Sequence, residues 1–475
     1  MINSYLRKKA LAILITTFLM ITIFSTNMAF SELNNVQSSS SYDPDIIIPD
    51  DYPTIQEGIN NAEPGDKIFI KSGIYNENIV VNKKGLSLKG ENKFNTVIDI
   101  ENSAWDAVAI IADGVTFEGF AVTNARNKDK LIWNQSGIVI SSSNVIIRDN
   151  IISYNRLGIM SYVTAFNLTI CDNMFFYDGF FPGCYIICSN GSVYCTDNIP
   201  MESLILNVCN NTVNGKPLYY YKDIRNAIVN ENAGQVILVN CTNITIKNVY
   251  LANIDFSVML YYCSNCIVEN STILNADGEL ILFFSENNTI QNNTIINAFH
   301  CVCLDIGSKN NIVRYNKIYD SLQGITVISA CTGNRVYENE FNGNTLAMKI
   351  TSYTQNRPSH HNLVYNNKFS ENDIGIGITT TFKDPLCYTY NNTIENNSFL
   401  KNKIGIEIRM SEGNMISNNI FKRNKISAVF LGCSQNFWEN NYWNRPRLLP
   451  KIVLGYKMIN SKIPIPWANF DRHPK

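Results

Sequence analysis

The stretch NTIQNNTIINAFHCVCLDIGSKNNIVRYN (288–316) decides the fold, because it begins and ends with the same short pattern. NTIQNN (288–293) and NIVRYN (311–316) both start with Asn and carry a second Asn five residues later. The same rule holds between 243 and 441 for NITIKN, NCIVEN, NRVYEN, NLVYNN, NTIENN, NMISNN and NFWENN. The second Asn recurs at positions 248, 270, 293, 316, 339, 367, 397, 419 and 441. The spacing between these Asn residues is typical of the repeats of a solenoid.

Within each unit the apolar residues alternate with other residues, as they do on a β-strand. Ile404, Ile406 and Ile408 face one way, whereas the residues between them face the other way. Each unit contains about three such strands, separated by Asn, Gly or Ser. Helical repeats do not have this period, and leucine-rich repeats would need a regular Leu ladder. The sequence therefore predicts an all-β fold, a parallel β-helix in which each coil pairs with the next.

The recurring Asn has two physical uses at the bends of such a helix. Asn tolerates the left-handed backbone region, and its amide can bond to the same amide in the next coil. We assign both roles to the same Asn, so most Asn-x-Ser/Thr sequons are interpreted as by-products of the ladder. Asn134 and Asn190 lie outside the repeat and are the better candidates for N-glycosylation.

The chain is predicted to be exported, to the medium or the cell surface. Arg7, Lys8 and Lys9 precede an apolar run at 10–24, so residues 1–31 are predicted to be a signal peptide or a retained anchor. A flexible leader (32–50), the β-helix (51–441, with an inserted loop at about 178–200) and a C-terminal cap (442–475) are predicted to follow. Thr54 is the predicted N-cap of a helix that covers the first coil.

The charge is balanced, with 39 basic and 40 acidic residues. This balance gives no electrostatic case for nucleic acid or an anionic membrane as partner, so membrane contact is expected only through the N-terminal segment.

The cysteines suggest structure rather than metal binding. Cys263-x-x-Cys266 has a ligand-like spacing, but no second such pair follows, and we predict no metal site. Cys241 and Cys263 each precede the second Asn of their unit by seven residues, which stacks them about one strand spacing apart. A disulfide between them is one interpretation, and a buried ladder of reduced thiols is the one we favour.

Longer segments resemble a known group of proteins. DYPTIQEGINNAEPGDKIFIKSGIYNENIVV (51–81) and GLSLKGENKFNTVID (85–99) resemble the entry segment of pectin-lyase-like β-helix proteins. GVTFEGFAV (114–122) and the N-x-I-x-x-N units resemble the NosD-type, carbohydrate-binding and sugar-hydrolase repeat family. The tail at 441–471 is similar to the end of exported archaeal β-helix proteins. The resemblance implies a single-stranded, right-handed β-helix, but it leaves the function open, because this fold hosts lyases, hydrolases, esterases, epimerases and non-enzymes.

The polygalacturonase motifs are absent from the coils, and the one Asp-Asp pair, Asp50-Asp51, precedes the cap helix. The chain resembles pectin methylesterases at Gly73–Glu77, but their later Asp-containing motifs are missing, as is the motif of alginate epimerases. NosD itself is linked to copper, but four His and no Met-His cluster give a copper site little support. A lyase would need Asp or Glu to hold Ca²⁺ and one Arg or Lys as base. Stacking the strands predicts two outward columns, one with Glu279, Cys303, Thr326, Lys349, Gly377 and Glu407, the other with Asp305 and Arg409. Lys349, Arg409, Asp305 and Glu407 are therefore the candidate catalytic groups, although an ordinary solvated face is the interpretation we favour.

The sequence favours a structural or carbohydrate-binding β-helix without catalysis. The alternative is a polysaccharide lyase or hydrolase with a dispersed site, and only that alternative would call for Ca²⁺; no other cofactor is predicted. Four aromatic residues of the inserted loop are the candidates for stacking on sugar rings: Tyr177, Phe180, Phe181 and Tyr185. Packing in the core is their alternative role.

Overall fold

The computed structural model describes residues 43–101, 105–126, 135–184, 186–189, 192–195, 198–276, 278, 280–352, 357–380, 389–433, 435–446, 449–459 and 463–475. Within it, Asp45–Lys475 form one compact unit. The predicted signal peptide or anchor at 1–31 lies outside the described residues. No helix among the described residues has the length and apolar character needed to cross a bilayer.

Most coils contribute one short strand to each of three sheets, and the strands of successive coils pair in parallel. Each sheet is broken near 185–230: Asn207–Cys209, Thr212–Val213 and Phe180–Cys184 do not pair with the next strand of their sheet, and the described coil at 228–239 has no strand in the second sheet. The first sheet contains Ile46–Ile48, Lys67–Ile70, Ser87–Gly90, Thr116–Glu118, Ile146–Arg148, Thr169–Cys171 and Asn207–Cys209, then Ile228–Val229, Thr245–Lys247, Ile267–Glu269, Thr289–Gln291, Ile312–Arg314, Arg335–Tyr337, Leu363–Tyr365, Thr393–Glu395, Met415–Ser417 and Phe437–Glu439. The second sheet contains Gly73–Tyr75, Thr96–Asp99, Ala121–Thr123, Ile151–Ser153, Met174–Phe176 and Thr212–Val213, then Tyr250–Ala252, Thr272–Leu274, Thr294–Ile296, Lys317–Tyr319, Glu340–Asn342, Lys368–Ser370, Ser398–Leu400, Ile420–Lys422 and Tyr442–Trp443. The third sheet contains Ile79–Val81, Val108–Ile110, Ser136–Ile140, Leu157–Tyr162 and Phe180–Cys184, then Lys216–Lys222, Gln235–Val239, Val258–Tyr261, Leu280–Phe283, His300–Asp305, Gln323–Ile328, Leu346–Ser352, Ile374–Thr380, Ile404–Arg409 and Ile426–Leu431. The predicted parallel β-helix is confirmed.

Stacked apolar columns fill the interior of the coils. Ile376 pairs with Ile406 and Ile378 with Ile408, and all four side chains are buried. A second inward column stacks aromatic rings in successive coils with centroids 4.6 to 5.0 Å apart: Phe341, Phe369, Phe399, Phe421 and Trp443. Every coil adds buried side chains to these columns, and this burial is the main source of stability of the solenoid.

The two roles of Asn fall on two adjacent residues, which corrects the prediction that one Asn serves both. Asn287 and Asn292 take the left-handed conformation, with φ of 58° and 55°. The residue after Asn292, Asn293, is buried in the ladder. The backbone N–H and the Nδ2 of Asn293 both donate to Oδ1 of Asn316 in the next coil, at 3.0 Å each. Asn248 and Asn270 are left-handed turn residues, and the ladder positions beside them hold Val249 and Ser271.

Both ends differ in detail from the prediction. The helix Ile55–Asn61 forms as predicted, with Thr54 Oγ1 accepting from the N–H of Glu57 at 3.1 Å. The first strand, Ile46–Ile48, already pairs with Lys67–Ile70, so the β-helix begins before residue 51.

The cap at 442–475 is a β-hairpin of Lys451–Ile459 and Ile463–Asp471. It continues the pairing at Phe430 with Gly455 and at Trp438 with Asp471, which the Pro-rich sequence did not predict.

The inserted loop is shorter than predicted, because Phe180–Cys184 pairs with Leu157–Tyr162 in the third sheet. A hairpin of Ile186–Ser189 and Ser192–Cys195 and the 3₁₀ helix Met201–Leu204 follow, and the coil resumes at Asn207–Cys209. At this interruption the side chain of Gln235 takes the place of a neighbouring strand. Its Oε1 accepts from the N–H of Phe180 at 3.0 Å, and its Nε2 donates to the Phe180 carbonyl at 2.9 Å.

Candidate functional site

The outer face of the third sheet carries the predicted charged columns. Strand register stacks Cys303, Thr326, Lys349, Gly377 and Glu407 in consecutive coils, as the sequence predicts. Glu279 is outside the described residues, and Ile281 takes the position beside Cys303.

The two acidic residues of these columns are buried. Asp305 and Glu407 are only 2% and 8% exposed, which excludes the interpretation of an ordinary solvated surface for these two carboxylates. Arg409 Nη2 lies 2.6 Å from Glu407 Oε1, and the N–H of Ile306 donates to Asp305 Oδ1 at 2.7 Å. Burial lowers the pKa of Lys349.

The four candidate catalytic groups do not converge. Strand register places Lys349 and Glu407 two coils apart, about 10 Å at ~4.8 Å per coil. In the other column, Asp305 and Arg409 are four coils apart, about 19 Å at the same spacing. Two carboxyl groups that cleave one glycosidic bond lie about 5 to 9.5 Å apart. Asp305 and Glu407 therefore do not form such a pair.

The predicted aromatic sugar platform is wrong for two of its members. Phe180 and Phe181 are buried because their strand belongs to the third sheet, and Phe181 stacks on Phe256 at 4.3 Å between ring centroids. Tyr177 is half-buried and stacks on Tyr154 at 4.8 Å. Tyr185 lies outside the described residues, as do the predicted glycosylation sites Asn134 and Asn190.

Cys241 and Cys263 are buried free thiols and are not joined by a disulfide. A hydrogen bond from Cys263 lowers the pKa of Cys241 to about 7. Among the described residues, a disulfide joins Cys171 to Cys209, which are paired in adjacent coils of the first sheet. The sequence held a signal for it, because each Cys stands two residues before a ladder residue, Asn173 or Asn211. Among the described residues, no three His, Cys, Asp or Glu side chains gather as a metal site.

A polar and aromatic cluster on the outer face of the first sheet was not predicted. We call it the tyrosine surface, and it consists of Gln291, Arg314, Tyr315, Arg335, Tyr337 and Tyr365. Register stacks four of these side chains in consecutive coils: Gln291, Arg314, Tyr337 and Tyr365.

Hydrogen bonds fix the arginine of the tyrosine surface. Arg314 donates from Nε and Nη2 to Gln291 Oε1 at 2.9 and 2.8 Å, and from Nη1 to the Tyr337 hydroxyl at 3.1 Å. Gln291 in turn donates to Glu269 at 2.8 Å. The rings of Tyr337 and Tyr365 stack with their centroids 4.6 Å apart.

The exposed part of the tyrosine surface is Tyr315 and Arg335. The Arg314 guanidinium lies 5.5 Å from the centroid of the Tyr315 ring, which is 47% exposed. A hydrogen bond to Glu338 raises the pKa of Tyr315, and burial raises that of Tyr365, so both phenols stay protonated donors at neutral pH. The arrangement can bind a chain of hydroxyl or carboxylate groups through fixed donors.

Tyr315 and Glu338 also break the turn pattern. The left-handed residue after each first-sheet strand from 248 to 440 is Asn in seven of nine coils, and these two residues are the exceptions. Other residue types cost ~1–2 kcal/mol in this conformation, so Tyr315 and Glu338 are each less favourable for the local backbone than Asn would be.

Comparison with known proteins agrees with this architecture. Residues 183–357 match the family described as periplasmic copper-binding protein (NosD), and residues 342–442 match the right handed beta helix region. The chain is a right-handed β-helix repeat protein. No curated protein matches it.

Several solved structures are similar to this β-helix repeat protein at low identity. An exopolygalacturonase from Thermotoga maritima is 12% identical, with 86% of this chain and 88% of that one covered and a TM-score of 0.37. A polygalacturonase from Erwinia carotovora is 14% identical, over 83% and 99% of the two chains, with a TM-score of 0.30. The mannuronan C-5 epimerase A-module of Azotobacter vinelandii is 11% identical, over 77% and 88%, with a TM-score of 0.33.

Proposed function

We propose that this β-helix repeat protein is an exported, non-catalytic carbohydrate-binding protein, and that a polysaccharide lies across the tyrosine surface. The observation that carries the proposal is the Gln291–Arg314–Tyr337 hydrogen-bond chain beside the exposed Tyr315. Fixed donors lower the entropic cost of binding a flexible sugar chain. An accessible ring next to them adds a surface on which a sugar can stack.

Export is supported by two observations. The disulfide between Cys171 and Cys209 is of the kind that persists in oxidising compartments. The family that matches residues 183–357 is described as periplasmic.

The proposal is tested by Tyr315→Asn, which restores the usual residue of the column and so should leave the fold intact. Its matched control is Tyr154→Asn, because Tyr154 has the same φ of 57° and a similar exposure, 45%. Binding is measured by affinity electrophoresis through gels that contain pectate, alginate or a neutral glucan. We expect retardation in at least one gel that Tyr315→Asn abolishes and Tyr154→Asn preserves.

The opposite pattern would place the glycan at Tyr154 and Tyr177, the region that the sequence pointed to. Retardation that neither variant changes, or no retardation in any gel, would contradict a binding site on the tyrosine surface.

The second candidate is a polysaccharide-acting enzyme. Burial lowers the pKa of Lys349, and a lysine with a lowered pKa can serve as a base. The same polymers, incubated with and without Ca²⁺, should then yield unsaturated products or new reducing ends. That activity should disappear with Lys349→Ala and remain with Tyr315→Asn.

A further inference from the structure

The C-terminal hairpin consists of Lys451–Ile459 paired with Ile463–Asp471, and no element among the described residues covers one of its faces. The other face packs on the last coil, where Val453, Asn469 and Asp471 are buried. A Cβ on Gly455 would lie 2.2 Å from the Phe430 carbonyl oxygen, so the hairpin backbone is in direct contact with that coil.

The uncovered face is apolar over both strands. Ile452 pairs with Phe470, Leu454 with Ala468 and Tyr456 with Pro466. Leu454 is 68% exposed, and Ile452, Tyr456 and Phe470 are each about half exposed. A contiguous patch of this kind at the end of a rod marks an interaction surface.

The charge of the same segment differs from that of the rest of the chain. Between 445 and 475 the sequence has seven Lys and Arg against one acidic residue, which leaves the remainder of the chain with a net charge of −7. The one acidic residue, Asp471, is buried and accepts from the Nδ2 of Asn441 and the Nε1 of Trp443. The segment therefore combines a net positive charge, with Arg445 and Arg472 exposed, and an apolar face, although Glu439 of the last coil lies 3.6 Å from His473.

We propose that this hairpin docks on an anionic phospholipid surface. Exposed Leu, Ile, Tyr and Phe side chains can enter the interfacial region of a bilayer, while Lys and Arg side chains contact the lipid phosphates. A second copy of the chain is the alternative occupant. It fits less well, because two such hairpins would bring two basic segments together.

The test uses residues 43–475, since Asp45–Lys475 form a compact unit and the apolar run at 10–24 would bind vesicles by itself. Sedimentation with vesicles of phosphatidylcholine and phosphatidylglycerol (7:3) is compared with sedimentation with phosphatidylcholine alone. The variant is Leu454→Asp, and its matched control is Ile74→Asp, which changes a 71% exposed side chain near the other end of the chain. Both variants should melt as the parent does.

We expect binding to the anionic vesicles that falls about tenfold or more in Leu454→Asp and is unchanged in Ile74→Asp. Added salt should also weaken it. Failure of the parent to bind, or equal binding by Leu454→Asp, would overturn the proposal. A dimer in sedimentation velocity that Leu454→Asp dissociates, without vesicle binding, would assign the face to a second copy instead.

Discussion

Replacing Asn367 by Ala removes one rung from a buried ladder and tests whether side-chain amides hold the coils together. Oδ1 of Asn367 accepts from the backbone N–H and the Nδ2 of Asn339, both at 3.0 Å. Its Nδ2 donates to the carbonyls of Val336 and Tyr365 and to Asn397 Oδ1, at 2.9 to 3.0 Å. The variant loses these five bonds and leaves the buried N–H of Asn339 without its acceptor.

The cost follows from the bonds that are lost. A buried unsatisfied N–H costs ~1–3 kcal/mol, and each other lost bond costs ~0.5–1.5 kcal/mol, partly recovered as the coil relaxes. We expect the free energy of unfolding to fall by about 3–5 kcal/mol. Asn366→Ala is the matched control, because Asn366 is the exposed left-handed neighbour with φ 55°, and its replacement should cost only ~1 kcal/mol.

Urea unfolding of residues 43–475, followed by circular dichroism, compares the two variants with the parent. A loss in Asn367→Ala within about 1 kcal/mol of that in Asn366→Ala would refute the reasoning. Such a result would mean that the aromatic and aliphatic columns alone fix the register of the coils.

Two further predictions concern the coils on either side of the interruption. Replacing Cys171 and Cys209 by Ser should lower the free energy of unfolding by ~2–4 kcal/mol, because the disulfide spans 38 residues of the unfolded chain; a reductant should produce the same loss in the parent and no further loss in the variant. Burial and the nearby Asp255 raise the native pKa of Asp178 well above its ordinary 3.8, against the weaker opposing effects of Asn155 and Arg126. Because the native pKa is raised, the protonated carboxyl stabilises the fold fully below the ordinary pKa, and this stability is lost as the pH rises through the native value. Asp178→Asn should remove that dependence and be more stable than the parent at neutral pH, measured as urea midpoint against pH; parallel curves for parent and variant would contradict it.

The β-helix could be predicted because alternation and a repeat length are properties of the sequence itself. The register of the Asn ladder was one residue off in two coils for a physical reason. The turn residue and the ladder residue both favour Asn, so Asn248 and Asn270 satisfied the pattern where Val249 and Ser271 occupy the ladder. Phe180 and Phe181 were assigned to a loop because the period of the repeat breaks nearby, although Phe180–Cys184 still pairs with the preceding coil.

The tyrosine surface could not be predicted, because it depends on side chains from four coils that meet only once the register is known. Gln291 and Arg314 are 23 residues apart, and their hydrogen bond requires both to be third in their strands and to face outward. A slip of one residue would have pointed Arg314 into the core. The exposed Tyr315 was visible in the sequence only as one of two departures from Asn in its column.

The lengths of the segments between strands support the location of the proposed glycan site. Residues 185–206, 353–358 and 381–388 all fall between a third-sheet strand and the following first-sheet strand. The ladder bonds from Asn339 to Asn367 and from Asn367 to Asn397 span two of these longer segments with unchanged lengths of 3.0 Å. Longer segments also occur between second-sheet and third-sheet strands near the start of the solenoid, at 100–107 and 124–135. After residue 284, the longer segments fall between third-sheet and first-sheet strands. Tyr337 and Tyr365 stand on the consecutive first-sheet strands between which the segment at 353–358 occurs. In this part of the solenoid, the corner that varies in length therefore adjoins the face on which we place the polysaccharide, as expected if loops at this corner adjust which glycan is bound.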